Sequence, residues 1–279
     1  MGDSSWWEAV IRLGIFSGVF IIMALWEVVS PRRKLSESKG RRWLINLGLT
    51  FINFLFARVT VGALAFSVAV FARQNGWGLF NYFEVPAWMA IVVSFVVLDF
   101  SIYLQHVIVH AVPLFWRLHR LHHTDLNIDV TTGLRFHPLE ILLSLLYKAA
   151  VIIVIGAPLW TVVAFEVILN AASQFNHGNV NIPKNIDRWL RTMIVTPDMH
   201  RIHHSTVVDK TNSNFGFSVS WWDRLCGTYK KEPAQSQLTM DIGLKEFRNQ
   251  KELGLLSLIA LPFRGKMGQY SYQKERVDS

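Results

Sequence analysis

Long apolar runs leave this chain little choice of fold. Residues 9–29, 43–71 and 87–110 are three such runs, and 139–176 is a fourth, interrupted by Gly156, Ala157 and Pro158 into two halves. A helix rises about 1.5 Å per residue, so roughly 20 residues cross ~30 Å of hydrocarbon. In lipid every backbone N–H and C=O must find its partner within the chain, and a run of that length does so as an α-helix. The predicted fold class is therefore an all-α integral membrane protein, one domain over residues 1–279, with about four to five transmembrane or re-entrant helices. Its 51% hydrophobic and 17% charged residues agree with that class.

Charge orients the runs. The segment PRRKLSESKGRR after the first run carries Arg32, Arg33, Lys34, Lys39, Arg41 and Arg42, which the positive-inside rule places in the cytoplasm. The loop QNGWGLFNYFEVP after the second run is aromatic and poor in charge, so it faces outward. The third run then returns inward, and the 139–176 hairpin leaves and re-enters on the same side, whether it spans or is re-entrant. A cytoplasmic cap of residues 111–137 and 178–265 follows, with 266–279 expected to be a disordered tail. The first run lacks a basic start and a small-residue cleavage site and reads as an anchor. Arg12 and Glu27 lie near enough to its ends to snorkel, and Arg58, inside the second run, is expected to snorkel or find a structural partner.

Other totals narrow the function. Cys226 is the only cysteine, which excludes an internal disulfide framework and a cysteine-ligated zinc site. A formal net charge of +8 fits anionic lipid or an acidic partner protein. Nucleic acid fits less well, because the basic residues sit beside apolar segments and not along one soluble face.

The ten histidines are confined to residues 106–204. Eight form three boxes: HVIVH (His106, His110), HRLHH (His119, His122, His123) and HRIHH (His200, His203, His204). On a helix, positions i, i+3 and i+4 share a face, so each box aims two or three imidazoles in one direction. Neutral imidazole is a metal ligand near neutral pH. One tetrahedral site takes about four ligands, so this number of imidazoles points to two metals. His137 and His177 lie between the second and third boxes. His137 would also serve as cap of a helix starting at Pro138, with Glu140 in its third position, and His177 suits a helix C-terminus, but both are expected to bind or orient metal. Thr196, Pro197 and Asp198 begin the helix of the third box, after a short surface helix at 185–193. Trp221, Trp222, Leu225 and residues 253–263 are expected at the membrane interface.

Asp99 precedes His106 by seven residues, near the same helical face. It is expected to orient an imidazole, or else to bond Ser101, Tyr103 or a neighbouring helix; Asn176 is grouped with it as an orienting residue. The carboxylates near the boxes are few: Asp125, Asp129, Asp198 and Asp209. The Glu-x-x-His pattern of soluble di-iron bundles is absent. An all-imidazole set leaves full positive charge on the metal, which suits an oxidant such as O2. It does not choose among zinc, copper, iron and nickel.

HVIVH, HRLHH and HRIHH, with FHPLE (136–140), NHGN (176–179), NSNFG (212–216) and WWDRLCGTY (221–229), resemble the fatty acid hydroxylase and sterol desaturase superfamily of membrane non-haem di-iron enzymes. Alkylglycerol monooxygenase-like proteins are near in texture, and the short spacing between the first two boxes resembles the hydroxylase and sterol group. The resemblance, over residues 90–230, implies O2-dependent hydroxylation of a lipid C–H bond at two irons, with the eight box histidines as ligands and His137 and His177 as additional ones. Desaturation is the alternative within the superfamily. A zinc-dependent hydrolase or another non-redox metal protein is the alternative outside it, and zinc is a plausible occupant on isolation. No flavin or haem motif is visible, so the electrons are expected from an external ferredoxin or cytochrome.

Overall fold

The computed structural model describes residues 2–60, 64–265 and 268, and among these it is helical, with isolated antiparallel bridges in place of strands. The long helices are α1 (Gly2–Val29), α2 (Lys39–Thr60), α3 (Leu64–Gln74), α5 (Ala87–Ala111), α7 (Pro138–Ile155) and α8 (Leu159–Asn176), with α4 (Leu79–Tyr82) between α3 and α5. Around them lie α6 (Pro113–His123), α9 (Lys184–Leu190), α10 (Pro197–His203), α11 (Val208–Thr211), α12 (Trp221–Leu225) and α13 (Leu255–Ala260). Four stretches, Val10–Val29, Lys39–Tyr82, Ala87–Ala111 and Pro138–Ile155, are long and apolar enough to cross a membrane. The chain is an integral membrane helical protein. Leu13, Ile22, Phe51, Phe54, Val92 and Val154 are exposed on these helices, as lipid-facing side chains are.

α1 packs along α8, α3 against α7 and α8, and α5 against α7 and α8. Leu98, Ile102, Ile152, Val162 and Phe165 fill the seam, and Ala65 and Ala69 let α3 approach closely. Two glycines close the end of the bundle away from the histidines. Gly156 stops α7 with φ +67, and a Cβ on Gly78 would stand 2.3 Å from the Gly156 nitrogen. At Gly78 a side chain is excluded by neighbouring backbone, while at Gly156 the left-handed φ disfavours one and the nearest atom is the Asn81 side-chain nitrogen at 2.8 Å.

Several expectations need correction. Residues 43–60 and 64–71 of the second run are helical, in α2 and α3, and residues 61–63 lie outside the described ones. Arg12 does not snorkel freely but pairs with Glu166, which also meets Lys148. Ionised groups between packed membrane helices are retained only when paired. Glu27 is buried and accepts the Val130 and Asn179 amides at 2.7 and 2.9 Å, pinning the end of α1 to the cap. Arg58 is exposed on the last turn of α2. The expected tail, apart from residue 268, lies outside the described residues.

The basic α1–α2 connection lies against the histidine-bearing cap. Arg32 pairs with Asp198 at 2.7 Å. Arg42 forks onto Asp125 at 2.7 and 2.8 Å, reaches Asp129, and touches Thr132. Arg135 joins the same knot through Asn46 at 2.8 Å, Thr124 at 2.9 Å and the Leu121 carbonyl at 3.2 Å. Burial opposes charge on Asp125, yet Arg42 holds its carboxyl well below the usual range. Burial lowers Arg135 to about 10, still a cation at neutral pH. The knot fixes the turn after α6 to α2, and breaking such a buried pair costs about 3–5 kcal/mol.

Candidate metal centre

α5 ends with His106 and His110 one turn apart, and Pro113 in the first position of α6 restarts the helix at once. α6 carries His119, His122 and His123. His177 caps the C-terminus of α8, returned to the same place by the hairpin. Thr196 caps α10 by accepting the Met199 amide at 3.3 Å, which sets His200 and His203 on one face with His204 at the C-cap. The nine imidazoles sort into two groups, one of His106, His110, His119, His123 and His203, the other of His122, His177, His200 and His204. In each, the ligand atoms lie within 4.8 Å of one another. All nine are buried, none more than 3% exposed.

The nitrogens have the donor set of metal sites. In the five-histidine group, Nε2 of His106, His110, His119 and His203 and both nitrogens of His123 are buried without a hydrogen-bond partner. Several orphaned polar atoms in one place call for an occupant. In the four-histidine group, Nε2 of His122, His200 and His204 lie 3.1, 3.0 and 3.2 Å from Nε2 of His177. One ring nitrogen cannot share a single proton with three others. Ligands about 2.0–2.1 Å from a tetrahedral ion would be about 3.3 Å apart, close to this spacing. Burial lowers His122, His123, His200, His203 and His204 well below the usual imidazole value, and His177 to about 4. They are neutral at pH 7, with lone pairs available.

The opposite ring nitrogens are held by a single loop and one carboxylate. His106 Nδ1 lies 2.7 Å from the Phe215 carbonyl, His110 Nδ1 3.1 Å from Asn212 Oδ1, and His203 Nδ1 2.8 Å from the Ser213 carbonyl. His119 Nδ1 lies 2.6 Å from Glu140 Oε1. Acceptors at Nδ1 fix the tautomer and turn Nε2 toward the centre of the group. The loop has its own restraints. Asn214, with φ +53, donates to the Met199 and Lys230 carbonyls at 3.0 Å each. Buried Asp223 accepts the Phe215 and Gly216 amides at 2.7 and 2.9 Å and the Thr228 hydroxyl at 2.7 Å. A Cβ on Gly216 would stand 2.8 Å from Asp223 Oδ2.

Nine of the ten candidate histidines are thus brought together. His137 is not among them: its Nδ1 accepts the Leu139 amide at 3.1 Å and its Nε2 bonds the Ile259 carbonyl at 3.0 Å, so it caps α7 and ties α13 down with no lone pair to spare. Asp99 accepts the Trp222 indole N–H at 2.7 Å and bonds no imidazole. Seven residues of helix put it on the right face but about 10 Å from His106 along the axis. Asn176 bonds no imidazole either; it donates to the Phe217 carbonyl at 3.1 Å, and the Phe217 ring lies 5.0 Å from that of His106. Asp125, Asp129 and Asp198 face arginines, and Asp209 is exposed beside Lys230. Sequence reasoning missed Glu140 as a partner of His119, and Asp223; both lie within motifs it quoted, FHPLE and WWDRLCGTY.

A cavity of about 270 Å³ abuts the five-histidine group, with His106 and His119 in its wall and Phe16, Ile102, Phe136, Ile141 and Leu169 as apolar lining. Its lining comes from α1, α2, α5, α7 and α8 and from the 133–136 turn, with Phe217 beside His106.

The fatty acid hydroxylase family model matches residues 91–228, from α5 through the Asp223 clasp. Ornithine lipid hydroxylase OlsE of Rhizobium tropici is 26% identical over 264 residues, covering 90% of this chain and 75% of that protein. Alkylglycerol monooxygenase of Xenopus tropicalis is 27% identical over 200 residues, 70% of this chain but only 43% of its own length. Delta(7)-sterol-C5(6)-desaturase of Nicotiana tabacum is 26% identical over 178 residues, 59% of this chain and 60% of its own. No solved structure matches the chain. The resemblance read from the histidine boxes is borne out.

Proposed function

From the premise that residues 91–228 form a fatty acid hydroxylase domain, we propose that this protein is an O2-dependent di-iron monooxygenase that hydroxylates a C–H bond of a membrane lipid of fatty acyl, alkyl or sterol type. The observation that carries the reading is a pair of all-imidazole groups, one of which contributes His106 and His119 to the wall of a largely apolar cavity lined by the long helices. Similarity to lipid hydroxylases and an alkylglycerol monooxygenase supports it.

His106, His110, His119, His123 and His203 would hold one iron and His122, His177, His200 and His204 the other, and iron so bound would supply the activation of O2. Each turnover consumes one lipid C–H bond, one O2, two electrons and two protons, and yields one alcohol and one water. The chain's own part is positioning. The 212–217 loop and Glu140 hold Nδ1 of four imidazoles, and Phe16, Ile102 and Leu169 keep water from the reacting chain. The electrons come from an external donor of ferredoxin or cytochrome type. The histidine end is cytoplasmic in this reading, since the basic 31–42 connection packs against it through Arg32 and Arg42.

Iron-reconstituted protein given lipid extract, a reducing system and ¹⁸O2 should yield a lipid alcohol carrying one ¹⁸O atom. A product lacking two hydrogens and carrying no ¹⁸O would replace hydroxylation with desaturation, the reading that similarity to a sterol desaturase supports. No oxidised product from any lipid class would overturn both.

A further inference from the structure

We propose that the lobe formed by α9 and α12 is sunk among the acyl chains of the leaflet on the histidine side, so that lipid and not water covers its outward apolar face. This placement goes beyond the proposed reaction and does not depend on it. It takes part of the expected cytoplasmic cap out of the water.

Depth is set by α5. Roughly 20 residues cross the hydrocarbon, so within Ala87–Ala111 the central residues, from about 92 to about 106, lie inside it whichever end is flush with the surface. The 221–228 segment is bonded to this central part. Asp99 accepts the Trp222 indole N–H at 2.7 Å, the Phe100 ring lies 4.9 Å from the Trp222 ring, and the Tyr103 hydroxyl lies 2.9 Å from Thr228 Oγ1. Val92, Val96 and Phe100 share one face of α5 and are exposed, a lipid-facing ridge that runs into Trp222. α12 therefore stands beside a lipid-covered ridge, at the same depth.

The lobe has the surface that such surroundings demand. Leu225 is 75% and Trp189 69% exposed, and Ile186, Met193, Ile194 and Trp221 are exposed with them. Polar atoms near this face are turned inward, as they must be where no water can satisfy them. Trp221 donates its indole N–H to the Thr192 carbonyl at 3.0 Å, Ser220 its hydroxyl to the Arg191 carbonyl at 2.8 Å, and Arg224 a guanidinium N–H to that same carbonyl at 2.8 Å. Arg191 is ion-paired with Asp187. The side-chain atoms of α9, Arg191 and α12 that are buried without a partner, Asp187 Oδ1 and Arg191 Nε, lie inside the lobe and not on its outward face. The exposed charges of α9 and α12, Lys184, Arg188 and Arg224, are all cationic, on stems long enough to reach lipid phosphates from below the surface. A soluble acidic partner would match these cations, but it could not cover apolar side chains at acyl-chain depth. Asp223 belongs to α12, so the same insertion seats the clamp on the 212–217 loop.

The test uses the full-length protein in lipid nanodiscs with a fluorophore on Cys226, the only cysteine, which is exposed at the C-cap of α12. A bimane label there should lose its emission to lipid carrying a nitroxide midway along the acyl chain and keep it in aqueous iodide. A label on Asp241→Cys, made together with Cys226→Ser, should do the reverse, since Asp241 is exposed next to Met240, whose carbonyl the basic connection holds through Arg33. Leu225→Cys, again with Cys226→Ser, repeats the measurement one residue away and decides it should the label on Cys226 loosen α12. Quenching by iodide and not by the nitroxide lipid overturns the proposal in favour of a water-facing docking surface. Quenching by both overturns it in favour of the headgroup layer. Protection from both overturns it in favour of a second copy of the chain over the same face.

Discussion

The five-histidine and four-histidine groups share α6 and α10, yet they are held in different ways. In the first, four of five imidazoles have a fixed acceptor at Nδ1, three of them from the 212–217 loop that Asp223 clamps. In the second, His177 Nδ1 bonds the Ser173 carbonyl at 2.7 Å and His122 Nδ1 reaches the Arg135 carbonyl at 3.3 Å, while Nδ1 of His200 and of His204 is buried with no partner. The first group is oriented from outside and the second mainly by its own convergence. Outer partners are worth about 10–100-fold in metal affinity, so the two positions should not be equivalent.

The largest test of that difference is removal of one ligand from each group. His203→Ala and His200→Ala should each lower activity by at least about 10³-fold, with metal analysis showing one ion lost and the other retained. Loss of both ions from either variant would mean that the groups form one cooperative unit. Chelation comes next: a graded chelator series should strip the four-histidine group first, at about 10–100-fold lower chelator activity than the other. Simultaneous release, followed by metal content and by the spectrum of a cobalt-substituted form, would erase the distinction.

A smaller effect should follow from loosening the clasp alone. Asp223→Asn should weaken metal at the five-histidine group about tenfold and leave the other unchanged. An equal loss at both sites would show general destabilisation instead. Smallest of all is His137→Ala, which should reduce thermal stability by about 1 kcal/mol or less, the worth of a helix cap, with both metals in place. A missing metal in this variant would restore His137 to the ligands.

This contrast also explains what was legible in the sequence. The boxes were readable because i, i+3, i+4 spacing is local: whatever the tertiary fold, one helix turns those rings the same way. The apolar runs were readable for a similar reason, since length and hydropathy alone bring α1, α5 and α7 into the membrane. The partners of the rings were not. Phe215 and Ser213 contribute carbonyls, which every residue has, and their value comes from the loop conformation that Asn214 and Asp223 impose. Glu140 was readable only as an early helix residue until packing of α7 against α6 brought it to His119. For Asp99 the second of the two alternatives holds, a bond to a neighbouring helix: shared phase with His106 is not contact, and its indole partner arrives from α12, 123 residues later. His137 misled because capping and ligation call for the same imidazole lone pair, and α13 takes its other nitrogen.

The 212–223 clasp has a consequence for biosynthesis. A chain made from its N-terminus presents His106, His110, His119, His122 and His123 while Asn212, Ser213, Phe215 and Asp223 are still unmade. In that interval the α7–α8 hairpin is made, and the early imidazoles lack both their acceptors and the three histidines of the third box. A metal met then finds at most an incomplete, freely turning set of rings. If the groups hold metal as proposed, selective loading belongs to the nearly finished protein, after residues 212–223 have closed on the imidazoles.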